Sequence, residues 1–419
     1  MTNGAVSLAD EQAEAIWGRV ALATLLARPG VGLGTPAPPG QQCIDPVRET
    51  AAMADIVSLE RPGLLPRVSV VIPVLNEERY IEACLRTVLA QDYPPDLLEV
   101  IVVDGPSTDR TADIVRSLSA ADGRVRLLSS PSGRIPCSLN IGLAAASGAV
   151  VVRVDGHSTI APGHVRRLVA RLDRSGADHV GGVMRATGRT YVARAIALAM
   201  SSPFGVGTAR FRYTNRAGAI DTVPFGAYRL ETLRGLGGFD EGLPIGEDAE
   251  LDYRITLSGG RVWITPEIET EYYCRDSLPR LARQYTRYGR AKAAILHKHG
   301  ALPSPRALAP ALFVLGLSLL GVASPLSLLA RRALAVVLSV YALGTAAATV
   351  YVSVRRGWRH APLLPVAFVT LHLSHGLGFL TALPLFLRPR PAERLRGSLA
   401  PSSGEKQGDE IAPAARAAS

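Results

Sequence analysis

Apolar residues fall along this chain in two rhythms, and the change between them divides it. From Val68 onward, short runs of β-branched and aliphatic residues alternate with segments whose apolar positions recur every three or four residues. VSVVIP (68–73) predicts a strand, and 77–91, with Ile81, Cys84, Leu85, Val88 and Leu89 on one side, predicts a helix. LLEVIVVDG (97–105) predicts a second strand ending at Asp104. A helix from Thr108 to Leu118, a third strand at RVRLLSS and a helix from Ile135 to Ala146 follow. Val150-Val151-Val152 reads as a fourth, buried strand. Arg153 is out of character in so apolar a run, which ends in Asp155-Gly156-His157. Strands alternating with helices predict an α/β fold with a mainly parallel, covered sheet. Its short strand-to-helix loops bring Asn76, Asp104 and Asp155 out at one edge. The Asp-Gly-His ending reads either as a turn or as a metal-ligand pair at a strand's carboxyl end, where open α/β sheets place their ligands.

After Ala301 the rhythm becomes long apolar tracts, 307–330, 333–354 and 361–387. Each approaches or exceeds the roughly 20 residues that span a bilayer as helix. Their Leu, Ala and Val density and the arginines at their ends favour membrane helices over buried core helices. Pro362, Pro365, His372, His375 and Pro384 interrupt the third tract, which reads as re-entrant or partly interfacial. With the preceding domain inside, three full spans would put Arg388, Arg390, Arg394 and Arg396 outside, against the positive-inside tendency; a re-entrant third tract removes that conflict. Before the sheet pattern, 10–28 reads as one imperfect amphipathic helix ahead of a Gly/Pro-rich linker, and no basic region plus apolar core marks a cleavable signal peptide. The expected organisation is a poorly ordered extension (1–66), an α/β domain (67–300), a membrane domain (301–390) and a disordered tail (391–419).

Composition sharpens this only in part. The 419 residues carry a formal net charge of +10, which suits nucleic acid, an anionic membrane face or phosphate-bearing substrates. No nucleic-acid recognition motif accompanies the charge, and arginines cluster beside the apolar tracts, so membrane lipids are the expected partner. Cys43, Cys84, Cys137 and Cys274 lack any CxxC spacing and read as reduced, non-metal cysteines.

IPVLNEERYIEACLRTVLAQDYP (72–94) and VIVVDGPSTDRTADIV (100–115) resemble the nucleotide-binding half of family-2 glycosyltransferases, which have the GT-A fold. The resemblance implies that Pro73, Asn76, Glu77 and Asp104 form the donor's base and ribose pocket. A carboxylate acceptor suits a base N–H and ribose hydroxyls, although Asp104 alone could be a turn residue or helix N-cap. Asp155-Gly156-His157 stands where the family has its DxD motif, which implies a divalent cation, Mn²⁺ or Mg²⁺, held by Asp155 and His157 against the donor's diphosphate. Histidine in place of the second aspartate leans towards Mn²⁺. VPFGAYRLETLRGLGGFDEGLPIGEDAELDYRI (223–255) is similar to the acceptor half, and by resemblance Asp248 is the general base. An acidic first helix turn of Glu247, Asp248 and Glu250 is the bland alternative. Gln284-Tyr285-Thr286-Arg287-Tyr288 resembles the family's Gln-x-x-Arg-Trp motif, with Gln284 and Arg287 sharing a helix face and placed at the donor diphosphate. The arginines of that helix equally suit an anionic membrane surface.

VRVDGHS, VPFGAYR and QYTRYGRAK bring the chain near the bacterial succinoglycan-type glucosyltransferases. The implied protein is an inverting, metal-dependent hexosyltransferase at the inner membrane, multi-pass, with a cytoplasmic catalytic domain. It would use a nucleotide-sugar such as UDP-glucose and a lipid-linked saccharide or polyprenyl-phosphate acceptor. A processive polysaccharide synthase and a non-catalytic scaffold with a decayed transferase domain are the rivals. Three apolar tracts are few for a channel, and intact Asp155 and Asp248 argue against decay.

Overall fold

The computed structural model describes residues 65–243, 245–302 and 304–387. The readings made for residues 1–64, including the helix at 10–28, and for the tail from 388 lie outside the described residues. The α/β part runs β1 (Val68–Val74), α1 (Ile81–Leu89), β2 (Leu98–Asp104), α2 (Thr111–Ala121), β3 (Val125–Ser129), α3 (Ile135–Ala145), β4 (Val150–Arg153), α4 (His164–Ser175), β5 (His179–Thr187) and α5 (Tyr191–Met200). It continues with β6 (Gly218–Ala219), β7 (Gly226–Arg229), α6 (Leu230–Gly235), α7 (Glu247–Leu257), β8 (Val262–Tyr273) and α8 (Leu278–His299). Three apolar helices follow, α9 (Ala309–Ala323), α10 (Leu328–Arg356) and α11 (Leu364–Thr381).

The strands form one sheet in the order β3-β2-β1-β4-β7-β5-β8-β6. From β3 to β4 every pairing is parallel, as the alternating pattern predicts; beyond β4 the sheet is mixed, with β7 antiparallel to both β4 and β5. Strands β1, β2 and β4 are buried on both faces by alternation, while β3 lies at the sheet's edge and is only partly covered. Val68, Val70, Ile72 and Val74 pack on one face with Val150, Val152 and Val154, whereas Val71, Ile101, Val103 and Val151 pack on the other with Leu251 and Ile255 of α7. That parity sends Arg153 to the face covered by α7. Order 3-2-1-4 makes the gap between β1 and β4 a topological switch point, the place where such sheets bind ligands.

The apolar helices differ in exposure. Among the described residues, three segments are long and apolar enough to cross a membrane: Pro305–Ala323, Leu328–Arg356 and Leu364–Leu387. The first two are 6% and 17% buried, the third 44%, so the third is held by protein as well as open to its surroundings. The prolines that made this tract doubtful do not break it. Pro365 sits in the first turn of α11, where its missing N–H costs nothing, and Pro362 and Pro384 lie outside the helix. His372 is satisfied on both ring nitrogens, by the Tyr341 hydroxyl at 2.8 Å and the Phe204 carbonyl at 2.8 Å. Two glycines let α8 and α11 touch backbone to backbone: a Cβ on Gly289 would lie 2.0 Å from the His375 carbonyl oxygen, and one on Gly378 2.1 Å from that of Thr286. Helix α8 is therefore clamped to α11 on one side and free on the other.

Candidate active site

The loops after β1 and β2 are sewn together by side chains of their own motifs. Asn76 adopts φ 56°, a left-handed conformation that asparagine tolerates better than most residues. Its Oδ1 accepts the Thr108 N–H at 2.8 Å, while its own N–H donates to Ser107 Oγ at 2.9 Å. The Glu77 N–H donates to Thr111 Oγ1 at 2.7 Å and the Glu78 N–H to Asp109 Oδ2 at 3.1 Å. Ser107 Oγ donates to Asp104 Oδ1 at 2.6 Å. Burial raises the Asp104 carboxyl above its ordinary value, against that hydrogen bond. The Ser-x-Asp-x-Thr residues thus build the loop pair, and the structure joins Asn76, Glu77 and Asp104 at one sheet edge. Pro73 is buried within β1, opposite Val103.

Asp155 follows β4 at the switch point. Glu77 reaches across to His157, with Oε1 2.9 Å from Nδ1, and this hydrogen bond raises the imidazole above its ordinary value. Asp155 Oδ2 and His157 Nε2 have no hydrogen-bond partner among the described residues. No group of three His, Cys, Asp or Glu side chains there forms a closed metal cage. The two free donors fit a divalent cation that takes its other ligands from a diphosphate and water, because hard oxygen donors of substrate complete such shells.

Arg153, the misfit of the apolar run, is the hub of the site. It is 4% exposed. Its Nε donates to Asp155 Oδ1 at 3.3 Å, and its Nη1 donates to Glu247 Oε1 at 3.0 Å and to Asp248 Oδ1. Burial opposes its charge, but Asp248, Asp155 and Glu247 outweigh that and hold its pKa well above the ordinary value. Burial likewise pushes the Asp248 carboxyl well above the usual carboxylate range, against the attraction of Arg153, with repulsion from Glu247, Asp252 and Asp155 adding to it. The Asp248 side chain keeps 18% of its surface exposed, enough to meet a hydroxyl. Gly237 and Gly238, at φ 79° and 73°, make the tight turn ahead of it, and Gly246 at φ 83° starts α7 so that the acidic turn points at β4.

A second layer that sequence reasoning missed holds Arg153. Phe225 lies 5.3 Å from its guanidinium and adopts φ 61°, strained for an aromatic residue. His179, fully buried, fixes that conformation: Nε2 is 2.7 Å from the Phe225 carbonyl oxygen and Nδ1 is 2.6 Å from Asp252 Oδ1. Asp252 stands one turn after Asp248 on α7 and also accepts the Val223 N–H at 3.0 Å. Tyr228 stacks on the imidazole at 3.7 Å. The only signal in the sequence is a histidine opening an otherwise apolar strand, HVGGV.

Helix α8 departs from expectation. Gln284 and Arg287 do not share a face: Gln284 is buried and donates to the Tyr272 and Tyr288 hydroxyls at 2.6 and 3.0 Å, whereas Arg287 is exposed. Residues three apart on a helix lie about 60° apart, and here the buried boundary falls between them. Arg280, Arg283, Arg287 and Arg290 form one exposed basic face. Arg287 makes no hydrogen bond or ion pair among the described residues.

Comparison with known proteins gives the chain's relatives. The profile of glycosyl transferase family 2 matches residues 69–237. The succinoglycan biosynthesis protein ExoA of Rhizobium meliloti is 33% identical over 321 residues, 74% of this chain and 93% of that protein. A dolichyl N-acetyl-α-D-glucosaminyl phosphate 3-β-D-2,3-diacetamido-2,3-dideoxy-β-D-glucuronosyltransferase of Methanococcus voltae is 25% identical, covering 55% of this chain and 74% of its own. The solved mannosyltransferase PcManGT of Pyrobaculum calidifontis, in complex with GDP-Man and Mn²⁺, aligns at 21% identity and TM-score 0.49 over 78% of this chain and 96% of that one. With a third of the aligned residues shared across nearly the whole of a relative, and the family profile spanning its donor half, the chain belongs to the family-2 glycosyltransferases.

Proposed function

We propose that this protein is an inverting, metal-dependent hexosyltransferase that moves a sugar, glucose from UDP-glucose foremost, onto a lipid-linked saccharide or polyprenyl phosphate in exopolysaccharide or cell-surface glycan synthesis. The observation that carries the reading is the Arg153 clamp, which joins Asp155 at the donor edge to Asp248 on the acceptor side through one buried guanidinium. Asp248 takes the proton of the acceptor hydroxyl as its oxygen bonds to the anomeric carbon. The bond from that carbon to the diphosphate oxygen breaks, and its electron pair leaves with the nucleoside diphosphate. Attack opposite the leaving group inverts the anomeric centre. Asp155 and His157 are the residues that would hold the divalent cation, which when bound offsets charge on the leaving diphosphate. Asn76, Glu77 and Asp104 hold the base and ribose, with Pro73 behind them.

The relatives' names, a succinoglycan biosynthesis protein and a transferase acting on a dolichyl-linked phosphate sugar, support a glycan acceptor carried on lipid. Three apolar helices and the basic face of α8 support a multi-pass protein of the inner membrane, its catalytic domain on the cytoplasmic side against anionic lipid. The test is to incubate membranes holding the protein with a panel of radiolabelled nucleotide-sugars and follow label into the lipid fraction, with and without EDTA. One sugar should enter, and chelation or Asp155→Ala should abolish its entry. Label entering equally in membranes without the protein, or entry untouched by both treatments, sinks the reading.

A further inference from the structure

Arg212, in the loop before β6, is buried in a different setting from Arg153. It is 5% exposed, with the rings of Phe211 and Tyr272 at 5.2 and 5.0 Å from its guanidinium carbon. Its side chain makes no hydrogen bond or ion pair among the described residues, and its Nη1 is fully buried without a partner. Aromatic rings engage a guanidinium's charge but accept none of its in-plane N–H donors. A buried cation in that state lacks the acceptors that normally make its burial tolerable.

The neighbours are equally unfinished. Gln284 spends one end of its amide on the Tyr272 and Tyr288 hydroxyls and leaves Oε1 buried and unpartnered; exchanging the two amide atoms would still leave one of them free. The side chain of Lys292, one turn beyond Tyr288 on α8, also makes no hydrogen bond or ion pair among the described residues. Its charge acts on Asp221 and Asp252 only at longer range, and burial lowers its pKa. Tyr288 senses Arg212, and burial raises its hydroxyl to about 12, so it remains a neutral donor. Tyr272, Cys274, Tyr285 and Tyr288 of this cluster pack with Phe368 and Leu371 of α11.

We propose that Arg212, Gln284 and Lys292 form a phosphate-binding site between the sheet and the apolar helices. It takes the phosphate of a lipid-linked acceptor or the diphosphate of the donor. The in-plane fork of Arg212 grips two phosphate oxygens, Lys292 adds a second charge, and Gln284 orients the group. The proposal rests on the transferase reading, and equilibrium binding separates the two. Full-length protein in detergent micelles is titrated with UDP and, separately, with polyprenyl phosphate. Arg212→Gln and Lys292→Gln should each lose roughly tenfold or more in affinity for at least one of the two ligands. Loss confined to polyprenyl phosphate identifies the acceptor's phosphate, and loss confined to UDP the donor's. Arg212→Lys, which keeps charge without the fork, should recover part of the loss, and with Lys292→Gln it reads the same arms should Arg212→Gln fail to fold. Parental affinity for both ligands in all three variants overturns the site. A parent that transfers sugar while the variants bind as it does loses only this site; a parent that transfers nothing, yet binds polyprenyl phosphate through Arg212, loses only the function.

Discussion

Arg153 and Arg212 are both buried, at 4% and 5% exposure, yet their surroundings are opposite. Around Arg153 stand three carboxylates, so the region carries more negative charge than its arginine cancels. Around Arg212 stand aromatic rings and, beyond Tyr272, a glutamine. A surplus of carboxylate at a sheet edge suits a divalent cation arriving with a diphosphate. A surplus of buried positive charge beside apolar helices suits a phosphate. Equal burial therefore says little about a charged group's task; the balance of charge and hydrogen bonds around it says more.

The sharpest way to break the comparison is at the carboxylates. Asp248→Asn keeps the shape and the contact with Arg153 but removes the base, so turnover should fall about 10²- to 10⁴-fold with donor affinity unchanged. In the parent, Asp248 acts deprotonated and its pKa is raised, so kcat should fall as pH drops through a value above the ordinary carboxylate range. Steady-state rates across pH check both, and turnover near that of the parent moves the base elsewhere. Next comes stability. Arg153→Met leaves three carboxylates without their cation and should cost about 3–5 kcal/mol, read by denaturant unfolding. His179→Asn should cost about 1–3 kcal/mol, since it strands Asp252 and frees the strained Phe225; as a positioning change it should lower kcat with little effect on the KM for donor. Smallest of all, Arg212→Met should leave stability in the absence of ligand unchanged or raised, because no partner is orphaned. If Arg212→Met destabilises as much as Arg153→Met, the contrast between the two regions fails.

Much of this was legible because it is local. Period-two alternation places Val68 to Val74 on both faces of a covered sheet, and the strand ends carrying Asn76, Asp104 and Asp155 follow from the α/β order. The Gly237-Gly238 turn ahead of an acidic helix start is likewise a local pattern. What could not be read was which groups meet. Asn76 looked like a ligand contact, and the hydrogen bonds show it first, with Ser107, Asp109 and Thr111, as part of the stitching between two loops. Gln284 and Arg287 looked like one face until the docking of α11 decided which side of α8 is buried.

The sequence by itself determined the alternation of strands and helices, the shift to long apolar helices after residue 300 and the chemical types present at each strand end, because these depend on residues a few positions apart. Only the tertiary structure decided that Arg153 reaches 95 positions along the chain to Asp248, that His179 secures Phe225 above it, and that Arg212 is buried with no carboxylate to meet it among the described residues. Those outcomes depend on how the two halves of the sheet and the apolar helices pack. No local pattern of residues encodes the charge balance that such packing creates.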